Sequence, residues 1–334
     1  MTMLKGEKET AMTLNQAGAD VLVIAAKTEA AEGVVSLVLR RPDGARLPDW
    51  TPGAHLDLVL PDGTTRQYSL HGDPREAEAY RIAVLRELDG RGGSRYVHDV
   101  LREGDTVGFG GPRNNFRLTP APAFDFVAGG IGITPILPMV RAASLLGSRW
   151  RLLYLGRSRS RMAFLDELAQ YGDLVTVRSS DEHGPTDIRS WLDTGRDVAA
   201  ESETKLYACG PTRLVETITE LAAMRRPGWT RVERFAAAER GEPARVAPFD
   251  VEVAGSGRSV RVAPGVPIAD ALRSAGFELL TSCSRGVCGT CEMRVVDGVP
   301  DHRDSILDDV ERVDGACFFP CVSRSRSDRL VLAL

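Results

Sequence analysis

The chain has 334 residues, 43% hydrophobic and 26% charged, with a formal net charge of −4. At about 100–200 residues per domain this length predicts two or three domains, and the composition excludes wholesale disorder and fibrous classes. The acidic balance lacks the basic footprint of a nucleic-acid binder, and no run reaches the ~18 consecutive apolar residues of a membrane span, so neither partner is expected. Residues 1–18 begin MTMLKGEKET and contain no apolar signal core, so a disordered extension on a cytoplasmic protein is expected. Six cysteines in such a chain point to metal or catalytic work rather than disulfides.

From there to about residue 120 the chain shows short strand-like runs: Val21–Ala26, Val34–Arg40, His55–Leu60 and Tyr80–Arg86. Turns such as Pro42-Asp43-Gly44 and Pro61-Asp62-Gly63 separate them. That spacing predicts an antiparallel barrel. Arg66-Gln67-Tyr68-Ser69 ends one strand, and Gly90-Arg91-Gly92-Gly93-Ser94 leads into a helical stretch, Arg95–Leu101. An arginine, two glycines and a serine at a helix start suit a phosphate, and an aromatic face suits a planar ring. A strand arginine with a cross-strand partner and a flexible glycine turn are the plainer alternatives.

The middle third alternates strand and helix. Phe124–Ala128 is an apolar run, followed by Gly129-Gly130-Ile131-Gly132-Ile133-Thr134-Pro135 and a helical stretch to Leu146. Thr134 is expected as N-cap and Pro135 as the first helical residue. Strands are predicted at Trp150–Leu155, Leu174–Arg178 and Thr204–Ala208, with helices at Met162–Gln170 and Pro211–Met224. Repeated βα units imply a parallel sheet, whose ligands lie at the carboxyl ends of its strands. Three features lie there: the glycine turn, Gly156-Arg157-Ser158-Arg159, and Cys209-Gly210-Pro211, which can also be read as a mere helix-start turn. Arg157, Arg159 and Arg161 suit a ribose 2′-phosphate or are solvated surface arginines.

After a linker at 239–248 the tail opens with strand-like Phe249–Ala254 and Ser259–Ala263, joined by Gly255-Ser256-Gly257. A helical pattern at Pro267–Ala275 is closed by Gly276. Then come Cys283, Cys288 and Cys291, with Cys321 further on. This is C-x4-C-x2-C…C, the spacing of plant-type [2Fe–2S] ligands. Gly286 and Gly289 would let the chain curl tightly, and its N–H groups could donate to sulfur. Zinc is the rival reading, although zinc sites usually show two close ligand pairs. Cys317 falls outside the spacing and reads as a buried apolar thiol or as an alternative fourth ligand.

The phrase CSRGVCGTCEMRVVDGVPDHRDSIL resembles the β-grasp ferredoxin domain fused to one group of reductases. Arg66-x-Tyr68-Ser69 and the Gly-rich turn ending at Ser94 resemble motifs of the ferredoxin–NADP reductase superfamily. With Gly111-Pro112-Arg113-Asn114, the GGIGITP turn and Cys209-Gly210-Pro211 in that order, nearly the whole chain resembles the phthalate dioxygenase reductase family, vanillate O-demethylase reductases included. The resemblance implies three domains: an antiparallel β-barrel flavin domain at 19–120, an α/β nucleotide-binding domain with a parallel sheet at 121–238, and a β-grasp [2Fe–2S] ferredoxin domain at 249–334. It also implies FMN, NADH as donor and a Rieske-type oxygenase as recipient.

On this reading Arg66, Gly92, Gly93 and Ser94 hold the flavin phosphate. Tyr68 packs on the isoalloxazine and Ser69 lies near its N5. Gly130, Thr134, Cys209 and Gly210 line the nicotinamide approach, and Gly129, Gly132 and Pro211 are further cofactor-binding residues. Gly156, Arg157 and Ser158 follow the nucleotide, and Phe235 stacks on the flavin. Ser69, Thr134, Cys209 and Phe235 are the catalytic candidates, and Cys283, Cys288, Cys291 and Cys321 the iron ligands.

Such a chain needs no triad. NADH gives a hydride, a cluster takes single electrons, and flavin exchanges either; the protein positions them. His55, His71, His98, His183 and His302 show no zinc spacing and read as surface or hydrogen-bonded residues. From Phe249 onward 10 arginines face 13 acidic residues, a balance of −3. Asp301, Asp304, Asp308, Asp309, Glu311 and Asp314 crowd one segment, as a face steering a basic acceptor or as a solvated surface. Service to a cytochrome P450, or a redox sensor without turnover, are the alternative functions.

Overall fold

The computed structural model describes residues 20–194, 203–222, 228–238 and 240–334. The expected extension at 1–18 and the end of the expected helix at Met224 lie outside them. Six antiparallel strands form the first domain: β1 (Asp20–Ala31), β2 (Val34–Arg40), β3 (His55–Val59), β4 (Thr65–Ser69), β5 (Tyr80–Leu85) and β6 (Thr106–Arg113). Their order is β4-β3-β6-β1-β2-β5, and a bridge between Leu70 and Ile82 joins the two edges into a barrel. Inward positions alternate, as period-2 strands require: Leu37 and Leu39, Leu56 and Leu58, Ile82 and Val84 are all buried. Helix α1 (Gly93–Asp99) caps the barrel with Val97.

The second domain is a parallel sheet of β7 (Ala123–Gly129), β8 (Arg149–Gly156), β9 (Val175–Ser179), β10 (Thr204–Cys209) and β11 (Thr230–Glu233), ordered β11-β10-β7-β8-β9. All seven residues of β7 are buried, because helices cover both faces of such a sheet. The chain runs outward from β7 to β9 and returns beside β7 as β10. The switch point, where ligands of such sheets sit, therefore lies between the carboxyl ends of β7 and β10. Helix α2 (Ile133–Leu145) starts there.

Two local expectations fail. Thr134 is not the N-cap of α2: a short 3-10 turn at Gly130–Gly132 precedes the helix, and Gly132 takes that position. Thr134 lies inside the first turn, buried, its Oγ1 donating to the Ile131 carbonyl at 2.9 Å. The predicted helix Met162–Gln170 shrinks to Leu165–Ala169 after a 3-10 turn at Arg159–Arg161. Met162 is pinned under Gly156, and Phe164 takes a left-handed φ of 64°, so no helix runs through them.

The third domain has β12 (Phe249–Val253), β13 (Arg258–Val262), β14 (Met293–Asp297), β15 (Pro300–Asp301), β16 (Cys317–Phe318), β17 (Arg324–Ser325) and β18 (Arg329–Ala333). Its five-stranded sheet runs β13-β12-β18-β14-β16, and the helix Ile268–Ser274 packs Ile268 and Leu272 against Phe249, Val251 and Leu332. No helix among the described residues is long and apolar enough to cross a membrane.

Candidate functional site at the meeting of three domains

The cluster loop fills the space between β13's helix and β14. Cys283, Cys288, Cys291 and Cys321 are all buried. Their thiols fall into two hydrogen-bonded pairs, Cys283 with Cys288 and Cys291 with Cys321. Within each pair the shared hydrogen bond pushes one thiol down and the other up: Cys283 and Cys291 fall, Cys288 and Cys321 rise. Among the described residues no three His, Cys, Asp or Glu side chains converge closely enough for a single metal ion. Two pairs of thiols suit two irons, two ligands to each. Backbone amides also turn inward, with Arg285 N–H donating to Cys283 Sγ at 3.3 Å. Cys317 stands outside both pairs on β16, where burial and a Glu292 hydrogen bond push its thiol up to about 12.

The barrel and the nucleotide domain each carry a glycine-bearing surface. On the barrel, Arg66 reaches across the start of α1, donating to the Thr65 carbonyl at 2.8 Å and the Arg91 carbonyl at 2.9 Å. A Cβ on Gly93 would lie 2.7 Å from Arg66 Nε, so only glycine lets the arginine cross. Burial, then Arg91 and Arg285, lower the Arg66 pKa; three cations converge where an anion would bind. Gly92 adopts φ 86°, turning the chain into the helix. Ser94 Oγ accepts from Glu87 N–H at 3.1 Å, which leaves its proton free to donate. Arg66 and Tyr68 share one face of β4, and Gln67 and Ser69 the other. Tyr68 packs on the barrel core, and burial pushes its hydroxyl up to about 12. These residues fit a flavin phosphate and ring.

In the nucleotide domain the turns after β7 and β10 pack backbone on backbone. A Cβ on Gly132 would sit 2.3 Å from the Cys209 carbonyl oxygen, and one on Gly129 2.8 Å from Pro211 Cδ. Gly210 lies as tightly against Gly129. Gly130 takes φ 53° with open space beside it. Together they make a flat floor over the switch point, beside the helix start that favours a pyrophosphate. Gly156, Arg157 and Ser158 lie one strand away, after β8; the Arg157 carbonyl accepts from Asp181 N–H at 3.1 Å. Phe235 is 41% exposed on the segment after β11.

The sequence reading singled out Ser69 and Cys209 but gave no role to the residue that joins them. Glu233, at the end of β11, takes a 3.7 Å bond from Cys209 Sγ and another from Ser69. Burial pushes its carboxyl up to about 8 and the Cys209 thiol further up still. β11 pairs with β10 in register, Cys209 opposite Glu233, at the carboxyl edge, a pairing that only the fold reveals. His55 and Asp57 were also passed over. Both are buried on the outer face of β3, and His55 Nε2 lies 3.1 Å from the Cys288 carbonyl. His71 is buried too, stacked 4.5 Å from Phe164 with Nε2 3.3 Å from Ser36 Oγ, so His55 and His71 are the hydrogen-bonded kind of histidine rather than the surface kind.

The acidic segment of the third domain is mostly consumed internally. Asp304 is buried, capping the Ile306 and Leu307 amides at 2.9 and 2.8 Å. Asp301 is buried and accepts from Ala244 N–H. Asp308 and Glu311 form a capping box and both pair with Arg231. Asp309 and Asp314 stay exposed. The steering face expected from composition is therefore reduced to those two.

The profile of the 2Fe-2S iron-sulfur cluster binding domain matches residues 251–326. The phenoxybenzoate dioxygenase subunit beta of Ectopseudomonas oleovorans is 43% identical over 91% of this chain and 94% of its own. An intact type IV self-sufficient cytochrome P450 monooxygenase superimposes with a TM-score of 0.87 at 38% identity over 95% of this chain. This chain spans 41% of that longer protein. Phthalate dioxygenase reductase, described as a modular structure for electron transfer from pyridine nucleotides to [2Fe-2S], matches with a TM-score of 0.66 at 36% identity, over 95% of this chain and 98% of its own. Similarity of this extent, over all three domains and the cysteine spacing alike, makes the chain a member of the phthalate dioxygenase reductase family.

Proposed function

We propose that the protein is the reductase component of an oxygenase system, taking a hydride from NADH and passing single electrons through FMN and a [2Fe–2S] cluster to a terminal oxygenase. The observation that carries this reading is the meeting of three surfaces: Ser69 on the barrel, Cys209 with Glu233 on the nucleotide domain, and the cluster loop on His55. Bound FMN would convert the two-electron donor into two one-electron transfers. For each NADH two electrons leave singly, and one proton is released.

The side chains position and insulate. Arg66, Gly92, Gly93 and Ser94 hold the flavin phosphate, and Tyr68 covers the ring. Gly129, Gly130, Gly132, Gly210 and Pro211 make the floor for nicotinamide and pyrophosphate, with Thr134 fixing the helix start. Gly156, Arg157 and Ser158 follow the adenosine half. Ser69 and Cys209 flank the hydride path, with Glu233 holding a proton between them at neutral pH, and Phe235 covers the flavin edge. We assign a Rieske-type oxygenase as acceptor, on the dioxygenase names of the relatives. The self-sufficient P450 match supports a P450 acceptor as the second reading. A cytoplasmic location suits the NADH supply.

The test is an anaerobic titration of the purified protein with NADH and NADPH, with the extracted flavin identified by mass. FMN, two irons per chain and rapid bleaching by NADH are the expected results. Zinc, or bleaching by neither nucleotide, would overturn the reading. Rates of reducing a Rieske protein and a P450 then separate the acceptors.

A further inference from the structure

The barrel's outer face opposite the cluster loop is polar, with His55, Asp57 and Ser69 buried and Gln67 and Arg113 half-buried. His55, Asp57, Gln67, Ser69 and Arg113 form two cross-strand rows there. His55 pairs with Ser69 on one side and Arg113 on the other, and Asp57 pairs with Gln67. Arg113 Nη2 meets Asp57 at 2.5 Å, and Gln67 Nε2 donates to Asp57 at 2.7 Å and to Ser282 Oγ at 2.6 Å. Asn115 packs so closely on Gly289 that a Cβ there would lie 2.3 Å from its amide nitrogen. Every one of these contacts lands on residues 282–289 of the cluster loop or braces one that does.

One contact differs from the rest. His55 Nε2 lies 3.1 Å from the carbonyl of Cys288, an iron-ligand candidate. A carbonyl only accepts, so Nε2 carries the proton. His55 is also the cross-strand partner of Ser69. A flavin-contact residue and a cluster ligand are thus joined by one strand pair and one hydrogen bond.

We propose that His55 is a positioning residue: its bond to the Cys288 carbonyl fixes the cluster loop on the flavin strands and sets the flavin-to-cluster separation and coupling. The proposal rests on the electron-transfer reading above. Its role would be to hold the cluster loop at a fixed distance from a flavin bound on the barrel. It has no part in the hydride step, which occurs on the Cys209 side.

The test compares His55→Phe, which keeps a planar side chain without a donor, with His55→Gln, whose amide can reach the carbonyl. Both are made in the full, cofactor-loaded chain. Two quantities are read: amide hydrogen exchange across 282–291, and the stopped-flow rate of cluster reduction after the flavin is reduced. In His55→Phe both should change about tenfold, exchange faster and cluster reduction slower, the factor for one lost hydrogen bond of typical net strength. Flavin bleaching by NADH should stay within about twofold, and His55→Gln should restore both quantities. Wild-type exchange and cluster reduction in His55→Phe would overturn the proposal. So would a His55→Gln protein as impaired as His55→Phe, because ring packing rather than the bond would then be at work. If His55→Phe fails to fold, His55→Asn, one methylene short of the carbonyl, replaces it under the same criteria. If NADH bleaches no flavin even in the wild type, the functional reading fails, and the exchange data still decide whether His55 holds the loop.

Discussion

At the scale of single residues, the site is made of ordinary side chains in unusual surroundings. Glu233 shows this most clearly. Its carboxyl is raised from 4.5 to about 8, first by burial, with Cys209 and Ser69 opposing. The folded chain therefore keeps a proton that the unfolded chain loses between those values. Glu233 contributes stability that is fully present below about pH 4.5 and lost as pH rises through about 8. In function, an ionised carboxylate beside the hydride path opposes arriving negative charge. The NADH-to-flavin rate should fall above about pH 8, and Glu233→Gln should flatten that inflection in a stopped-flow pH series. Arg66→Ala should weaken FMN binding about 10- to 100-fold, the range for one charge-assisted hydrogen bond, as read by flavin fluorescence on dilution. Cys291→Ser should leave a protein that lacks the cluster absorbance yet still reduces ferricyanide from flavin. Loss of flavin bleaching in that variant would show that the domains do not act as modules.

At the scale of elements, the decisive feature is how turns approach one another. The turns after β7 and β10 touch backbone to backbone, and a side chain on either would separate them. Gly132→Ala should lower Tm, with a destabilisation of about 1–3 kcal/mol from overpacking, and raise the KM for NADH while FMN content stays unchanged. Calorimetry and steady-state kinetics check the two halves. Strand β3 carries the other lesson. Its sequence alternates His55, Leu56, Asp57, Leu58, the signature of a half-exposed strand. The apolar positions do face the barrel core, but the polar ones are buried too, His55 against the cluster loop and Asp57 between Gln67 and Arg113. A period of two separates the two faces of the strand but cannot say what covers the outer one.

At the scale of the whole molecule, the three domains close on shared polar contacts, and some carry buried titratable groups. His71 lies between the barrel and the nucleotide domain, beside Phe164 and near Arg141. Burial, then Arg141 and Arg81, lower its pKa from 6.5 to about 3. The unfolded chain takes up a proton below pH 6.5 that the folded chain refuses, so stability falls as pH drops from 6.5 toward 3. Denaturant titrations at pH 7 and pH 4.5 should show that loss, and His71→Gln should reduce it.

Much of this was legible in the amino-acid sequence, because local chemistry dictates local structure. The C-x4-C-x2-C spacing, the glycine turns at strand ends and the alternating barrel strands each follow from short-range constraints that no distant residue overrides. The three-domain order comes from the family resemblance that these motifs carry together, and Cys283, Cys288, Cys291 and Cys321 are the ligands that the spacing and the resemblance propose. Thr134 departs from the expected N-cap for the opposite reason: the 3-10 turn ahead of α2 depends on Gly132 packing against Cys209, 77 residues later. What the tertiary structure alone decided is which polar residues meet. Glu233 reaches Ser69, and His55 reaches Cys288, across more than 160 and 200 residues of chain. Most carboxylates of the acidic segment are engaged by backbone caps and by Arg231 rather than left free on the surface. Burial and pairing are properties of the packed molecule, so net charge and residue type cannot reveal which side chains solvent still sees.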